Sequence, residues 1–230
     1  MKFELPHNED EREAILNLPF EERIEYIPLA FDELLMNRYT LLKKWRDVTS
    51  VTAQPDSGYN AERLVALFSG KEGTRNRGSG SPDLSDGSEV KAVWTIDADD
   101  RPRWNHHFTP SSTRSQSEKV EDWLQNPAIF YVAIDDMSDH DVRFRIWKVN
   151  PSEDDNYQRV LRRWVDESGN NFQLHPFRYP DSDVATNDCG DLRLPLAFEM
   201  VFEGGEATIP TAEANPGESG VASDLSNHTS

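Results

Sequence analysis

The chain has 230 residues, which is long enough to bury a sizeable hydrophobic core and to form one globular domain with appendages. Cys189 is the only cysteine, so both a disulfide framework and a cysteine-rich zinc module are excluded. Acidic residues number 42 and basic residues 24, giving a formal net charge of −18. That sign is opposite to the basic footprint typical of a DNA-binding domain.

The acidic bias extends along the whole chain, and arginine outnumbers lysine. This pattern is typical of halophilic proteins, which work in molar salt where the Debye length is about 3 Å and self-repulsion is largely screened. In such a cell the placement of individual arginines says more about partners than the net charge does. An ordinary acidic protein without a nucleic-acid partner is the alternative.

No apolar stretch in the sequence approaches the length needed to cross a bilayer, so no membrane partner is expected. The first residues lack a cationic segment followed by an apolar one, which is the pattern of a signal peptide. We therefore expect a cytoplasmic protein.

The N-terminal part of the chain is predicted to be helical. Asn8 can cap a first turn rich in acidic residues, and apolar residues then recur at helical spacing, with interruptions at Pro19 and Pro28. A shorter helix is predicted over residues 60–69. We expect residues 1–55 to form an N-terminal helical segment that packs alongside the core or forms a dimer contact.

Residues 88–96 alternate as a strand does. Glu89 and Lys91 fall on one side of this strand, while Val90 and Trp94 fall on the other, apolar side. Further strands are predicted at residues 128–134, 143–149 and 193–202, and helices at residues 115–125 and at residues 152–164, the last capped by Ser152. The sequence therefore predicts an α/β fold in which helices flank a mixed central β-sheet.

Two other segments carry weaker patterns. Residues 166–190 are predicted to be irregular. Residues 204–230 contain almost no large apolar side chains and cannot offset the entropy of ordering, so we predict a disordered acidic tail. The core then spans residues 56–203.

The chemistry-bearing segment is the one that contains Asp83, Glu89 and Lys91. Hydrolysis of a phosphodiester requires a divalent cation at the phosphate, an activated water and positive charge near the developing oxyanion. Mg²⁺ prefers oxygen ligands, which the two carboxylates and the carbonyl of Val90 can supply. Because strand side chains alternate, Lys91 must point to the same side as Glu89. A solvated hairpin with an incidental ion pair is the alternative interpretation.

These residues resemble the PD-(D/E)XK nuclease superfamily, which includes most type II restriction endonucleases. The match consists of Pro82-Asp83 followed by Glu89-Val90-Lys91, and the tight spacing is similar to that of MutH-type mismatch-repair nucleases and MamI-type restriction enzymes. The resemblance covers about residues 58–150. It implies a restriction-endonuclease-like fold, a Mg²⁺ cofactor, catalytic roles for Asp83, Glu89 and Lys91, and a fourth catalytic carboxylate on the preceding helix. Glu62 is the candidate, and a solvent-facing residue paired with Arg63 is its alternative role.

Several side chains are candidates for DNA contact. Arg75 and Arg77 lie in a glycine-rich loop that can approach a phosphate closely. Arg162 belongs to a basic cluster in the region of residues 150–190, which we expect to recognise DNA, although pairing with nearby acids is an equal alternative. Asn105 is expected to have a positioning role near DNA, and Gln173 belongs to a segment rich in side chains that can read the edges of bases.

Residues Arg143 and Arg145 mark a basic strand that is a candidate phosphate-facing surface. Their alternative role is again pairing with acidic neighbours. In so acidic a chain such clusters are the best phosphate-facing candidates.

Together these observations predict a Mg²⁺-dependent type II restriction endonuclease that hydrolyses double-stranded DNA at a specific site. A homodimer is expected because a symmetric dimer matches a palindromic site, and a cognate DNA methyltransferase is expected as its genetic partner. The alternatives are a nicking endonuclease of DNA repair, a nuclease for branched or modified DNA, and a non-catalytic acidic interaction protein.

Overall fold

A computed structural model describes residues 4–49, 58–74, 82–95, 102–136, 141–168, 171–176, 185–187, 192–203 and 206–212. Within these ranges the helices are α1 (Glu9–Ala14), α2 (Phe20–Ile24), α3 (Tyr26–Phe31), α4 (Asn37–Thr49), α5 (Gly58–Ser69), α6 (Gln116–Leu124) and α7 (Asp155–Ser168). A 3₁₀ turn, Ile15–Asn17, follows α1, and a π-helical turn, Asp32–Met36, joins α3 to α4. No helix in the described ranges is both long and apolar enough to cross a bilayer.

The strands form two sheets. They are β1 (Glu89–Trp94), β2 (Trp104–His107), β3 (Ile129–Asp136), β4 (Val142–Val149), β5 (Asn171–Pro176), β6 (Ala185–Asn187), β7 (Arg193–Leu194), β8 (Leu196–Glu203) and β9 (Glu206–Ala212). The central sheet has the order β1-β3-β4-β8-β9, with β1 and β3 parallel and the other pairs antiparallel. The second sheet has the order β2-β5-β6-β7 and is antiparallel. The predicted α/β fold with a mixed central sheet is confirmed.

Each face of the central sheet is covered by a hydrophobic core. On one face, helices α2 to α5 pack against side chains such as Val90, Trp94 and Phe130. On the other face, α6, α7 and the second sheet pack around Tyr131 and Trp147. The N-terminal helices therefore share a core with the sheet, and the alternation predicted for β1 is what places its apolar side there.

Four of the described strands, β2, β5, β6 and β9, lie where no strand was predicted. Residues 171–176 form β5 within the segment predicted to be irregular, because Phe172 and Leu174 are buried and alternate with half-buried Gln173. Residues 206–212 form β9 within the predicted disordered tail. That prediction was wrong for β9 because backbone pairing with β8 orders a segment that has few apolar side chains of its own. Residues 213–230 lie outside the described residues.

Three predicted boundaries also differ. Pro28 does not interrupt a helix but lies in the first turn of α3, where backbone amides have no partner within the helix. The α7 helix is capped by Asp154, whose side chain accepts from the Tyr157 amide, instead of by Ser152. The predicted strand over residues 193–202 is split between β7 and β8, and Pro195 lies at the break.

The buried side chain of Arg23 links α2 to the end of α5 by hydrogen bonds. Its Nε donates to the Leu67 carbonyl at 2.6 Å, Nη1 to the Leu18 carbonyl at 2.8 Å and Nη2 to the Phe68 carbonyl at 3.1 Å. The last carbonyls of a helix lack partners within it, so the guanidinium satisfies groups that α5 leaves open.

Replacing Arg23 with methionine should therefore lower the free energy of unfolding by about 2–3 kcal/mol, because buried carbonyls lose their donors. Chemical denaturation measures this. The matched control is Arg12→Met in α1, which is exposed. Equal stabilities of the two variants would contradict the role assigned to Arg23.

Candidate active site

Asp83 is brought back against β1 by a tight turn. The Leu84 amide donates to the Ser88 carbonyl at 3.1 Å, and the Gly87 amide donates to the Leu84 carbonyl at 3.1 Å. Gly87 has a φ of 95°, a conformation that favours glycine. Because the turn reverses the chain, the Asp83 carboxylate reaches β1, and its Oδ2 accepts from the Val90 amide at 2.8 Å.

The strand β1 lies at the edge of the central sheet, and its partner is β3. The Glu89 amide donates to the Ala128 carbonyl of the β3 side at 3.0 Å. In a parallel pair, alternate residues direct their backbone groups to the partner, so Val90 directs its amide and its carbonyl away from β3. The amide is bonded to Asp83, and the carbonyl faces the same free edge. This is the position that a third oxygen ligand beside Asp83 would need.

Glu89 and Lys91 point to the same side of β1, as predicted, and form an ion pair with Nζ 2.9 Å from Oε2. Their side chains are 18% and 28% exposed, so the pair is partly shielded from solvent. The pKa of Glu89 is raised above its ordinary value, mainly by burial; the Lys91 ammonium opposes the rise and the nearby Asp83 carboxylate adds to it. The Asp83 carboxylate and the Lys91 ammonium therefore both lie near Glu89 at the edge of the sheet.

The donor set of this site fits a hard divalent cation. Two neighbouring carboxylates and a backbone carbonyl are the oxygen ligands typical of Mg²⁺, which usually retains several waters. A cation bound beside Glu89 would offset the charge repulsion that Asp83 exerts on it. Among the described residues there is no group of three or more His, Cys, Asp or Glu side chains that could hold a metal ion.

Glu62 lies in the middle of α5, the helix that packs against β1. Its side chain is only 9% exposed, so the alternative of a solvent-facing residue is wrong. Arg63 is turned to the helix surface, where Nη1 donates to the Tyr59 carbonyl at 3.0 Å. A buried carboxylate on the helix beside β1 is compatible with the predicted fourth role.

Asn105 and Gln173 are direct neighbours across β2 and β5. Asn105 is exposed and Gln173 is half-buried, while the flanking Trp104 and Phe172 point into the core. The two amides, which are 68 positions apart in sequence, therefore share the outer face of the second sheet. Their adjacency could not be read from the sequence, because the pairing of β2 with β5 is long-range.

The predicted arginine contacts have different surroundings. Arg162, on α7, forms a two-pronged ion pair with Glu121 of α6 in which both side chains are about half exposed. Arg75 and Arg77 lie outside the described residues.

Arg143 and Arg145 do not form a phosphate-facing surface. Both are buried and pair with Asp135 of β3, which is itself buried. The prediction was wrong because their counter-ion lies on the neighbouring strand, and the α6, α7 and second-sheet layer covers this face. Burial raises the pKa of Asp135, although Arg145 and Arg143 oppose the shift.

Comparisons with known proteins identify a family. The profile of a family described as MamI restriction endonuclease matches residues 44–203, which include the whole of the turn and β1. The type II restriction enzyme MamI of Microbacterium ammoniaphilum is 32% identical over 194 residues, which are 79% of this chain and 63% of that protein. The chain thus spans less than two thirds of that relative's length. No solved structure matches the chain.

The family profile covers well over half of the chain, and it includes Asp83, Glu89 and Lys91. The chain therefore belongs to the MamI restriction endonuclease family.

Proposed function

We propose that the chain is a type II restriction endonuclease that hydrolyses DNA phosphodiester bonds at a specific site, with Mg²⁺ as cofactor and a centre of the PD-(D/E)XK kind. One observation carries the proposal: the carboxylates of Asp83 and Glu89 and the ammonium of Lys91 converge on the edge of the sheet. Family membership supports the same activity.

Asp83, Glu89 and the Val90 carbonyl are the residues that would hold Mg²⁺. When bound there, the ion would polarise the scissile phosphate and make a water more acidic. Asp83 is kept in place by the Val90 amide, so one carboxylate is oriented before any ligand arrives. The Lys91 ammonium favours the ionised form of Glu89, which is the form that binds a cation.

Lys91 has a second role in this proposal. Its Nζ can donate to a phosphate oxygen and stabilise the charge that builds up as water attacks phosphorus. The attacking water forms a bond to phosphorus as the bond to the leaving oxygen of the DNA strand breaks, without a covalent enzyme intermediate. Glu62, buried on α5, is proposed as a further carboxylate of the centre.

DNA contact is proposed at three places. The outer face of β2 and β5 presents Asn105 and Gln173, whose side-chain amides can pair with adenine in the major groove. Arg162 is proposed to meet phosphate, for which it must exchange its carboxylate partner Glu121 for the backbone of DNA. Arg75 and Arg77 are proposed to contact phosphate from the glycine-rich loop. Double-stranded DNA is the proposed partner.

A homodimer is part of the proposal, because a symmetric pair of sites cuts both strands of a palindrome. An apolar stripe on α4 supports it: Leu41, Trp45 and Val48 are 56%, 59% and 74% exposed and lie one helical turn apart.

Trp45→Glu is expected to shift the chain toward a monomer in sedimentation experiments, because it places a charge in that apolar stripe. Tyr59→Glu, at an exposed position on α5, is the matched control and should sediment like the wild-type chain. An unchanged mass for Trp45→Glu would remove α4 from the interface.

The proposed activity is tested by incubating the purified full chain with plasmid DNA in Mg²⁺ and high KCl. Discrete linear fragments, abolished by a chelator and restored by Mg²⁺, are the expected result. Nicked circles would instead indicate a repair nicking enzyme. Plasmid that stays intact over several salt concentrations and methylation states would contradict the proposal and favour a non-catalytic interaction protein. A DNA methyltransferase gene beside this one is the expected genetic partner.

A further inference from the structure

The Lys91 ammonium has a second neighbour besides Glu89. Its Nζ lies 5.2 Å from the centre of the Trp123 ring, within the range of a cation–π contact. Trp123 belongs to α6, a helix fixed at its start by the capping box of Ser115 and Glu118. The ammonium is therefore held between a carboxylate of its own strand and an aromatic ring from a different element.

The Trp123 ring is fixed by two aromatic rings. His106 and Phe108 meet it nearly at right angles, with ring centres 4.9 Å and 6.2 Å away. Both are buried, so the ring cannot turn without disturbing the core.

A chain of hydrogen bonds also starts at Trp123. Its Nε1 donates to the Tyr157 hydroxyl at 3.0 Å, and the Tyr157 and Tyr131 hydroxyls are 2.8 Å apart. The Tyr131 hydroxyl is 2.9 Å from Nε2 of His106, and Nδ1 of His106 is 2.9 Å from the Phe172 carbonyl. The chain thus joins α6, α7, β3, β2 and β5.

The proton positions along this chain follow from its two ends. The Phe172 carbonyl can only accept, so Nδ1 of His106 carries a proton and, in the neutral ring, Nε2 accepts. Tyr131 therefore donates to His106 and Tyr157 donates to Tyr131, while the indole N–H of Trp123 donates to Tyr157. Every donor in this series of hydrogen bonds has one acceptor, so the direction of each bond from Trp123 to Phe172 is determined. The lowered pKa of His106, about 3, agrees with a neutral ring, and burial is its main cause, with the nearby Lys91 charge contributing.

We propose that Trp123 is a positioning residue for Lys91, and that the Tyr157–Tyr131–His106 chain holds the indole ring in the place that this role requires. The inference rests on the proposed catalytic role of Lys91. Glu89 attracts the ammonium along one direction only, and once Glu89 binds a cation that attraction weakens. The ring supplies a contact that a cation at Glu89 does not compete for, so Lys91 stays aimed at the phosphate when the site is loaded.

Steady-state cleavage kinetics of the full chain test the proposal. Trp123→Leu removes the aromatic face, and kcat is expected to fall about 10-fold with KM for DNA unchanged, since the contact aims a catalytic group without touching DNA. Trp123→Phe keeps an aromatic face but loses the N–H that bonds to Tyr157, so its kcat should lie between those of Trp123→Leu and the wild-type chain. Tyr157→Phe removes only the hydroxyl that holds the indole, and an intermediate kcat is expected. Tyr59→Leu is the aromatic control and should behave as wild type.

A spectroscopic measurement tests the placement without activity. Protons above an aromatic face are shifted upfield, so the Lys91 Cε protons, assigned by their loss in Lys91→Arg, should be upfield in the wild-type chain and in Trp123→Phe. In Trp123→Leu they should take an ordinary lysine shift.

The outcomes separate the two proposals. The positioning role would be overturned if kcat were unchanged in Trp123→Leu, or if only KM changed. It would also be overturned if the Lys91 Cε protons had the same shifts in Trp123→Leu as in the wild-type chain. If the wild-type chain does not cut DNA, or if Lys91→Met cuts normally, the proposed function fails instead, and the NMR result still decides where Trp123 holds Lys91.

Discussion

Replacing Lys91 with methionine should lower the rate of DNA cleavage by about 10³-fold while the fold and DNA retention are preserved. Methionine matches the stem of lysine but carries no charge, so the developing charge on the phosphate loses its partner. Asp83→Asn should have an effect of similar size. The asparagine oxygen can still accept from the Val90 amide, so the turn keeps its geometry while the carboxylate charge is lost.

Two matched controls separate a catalytic effect from a general one. Lys119→Met removes a lysine from α6 whose ammonium donates to the Thr109 carbonyl, outside the site. Asp86→Asn makes the same change as Asp83→Asn in the same turn, where Asp86 accepts from the Ser88 amide at 2.9 Å. Single-turnover cleavage and a filter-binding assay give the rate and the DNA retention. Wild-type rates in Lys91→Met and Asp83→Asn would remove the proposed centre.

The stability of the protein should fall as the pH drops below about 6.5, because His106 is buried in a neutral state. Burial, with smaller contributions from Lys91 and His107, lowers the pKa of His106 from 6.5 to about 3 in the folded protein. Between these values the unfolded chain binds a proton that the folded chain does not, so acid favours unfolding. The contribution is complete above pH 6.5 and is lost as the pH falls toward 3. The slope is about 1.4 kcal/mol per pH unit, or about 2 kcal/mol between pH 6.5 and pH 5.

Chemical denaturation from pH 7 to pH 5 measures this slope in the wild-type chain and in His106→Gln, which should lack it. His107→Gln is the control, because His107 lies on the exposed side of β2 and should leave the slope in place. If His106→Gln does not fold, the nitrogen NMR signals of the wild-type imidazole provide the test, since His106 should stay neutral at pH 5. A His106 ring that titrates near pH 6.5 would contradict both its burial and the direction of its hydrogen bonds.

Strand β1 could be predicted from sequence because the pattern that specifies it lies within a few neighbouring residues. The alternation of Glu89, Val90 and Lys91 determines the side of the strand to which each residue points. The apolar side packs in the hydrophobic core, as predicted. The turn at Gly87 is also local, which explains why Asp83 could be predicted to meet Glu89. The convergence of these groups depends on a few neighbouring residues and a short chain reversal.

The second sheet could not be predicted in the same way. Strand β5 gains its stability from pairing with β2, which lies more than sixty positions earlier in the sequence. Its short alternation around Phe172 is too weak a signal by itself. The adjacency of Asn105 and Gln173, and the link from His106 to Tyr131 and Tyr157, depend on that long-range pairing.

The burial of charged residues also could not be predicted from neighbouring residues in the sequence. Arg143 and Arg145 look like a basic strand in sequence, yet they are buried because Asp135 lies opposite on β3. Their burial is set by a layer that covers the sheet, and no pattern within β4 indicates it. Strand β9 is the converse case, a segment whose only large aliphatic side chain is Ile209 and which is ordered by pairing with β8.

Binding of Mn²⁺, used in place of Mg²⁺, tests the proposed cation site of Asp83 and Glu89 most directly. Bound Mn²⁺ is measured in the presence of DNA as the loss of the electron paramagnetic resonance signal of the free ion. The wild-type chain and Asp86→Asn should remove Mn²⁺ from solution with the same affinity, Mg²⁺ should compete, and Asp83→Asn and Glu89→Gln should each lose most of the binding. If Asp83→Asn binds Mn²⁺ as tightly as Asp86→Asn does, the two carboxylates beside Lys91 do not hold the ion.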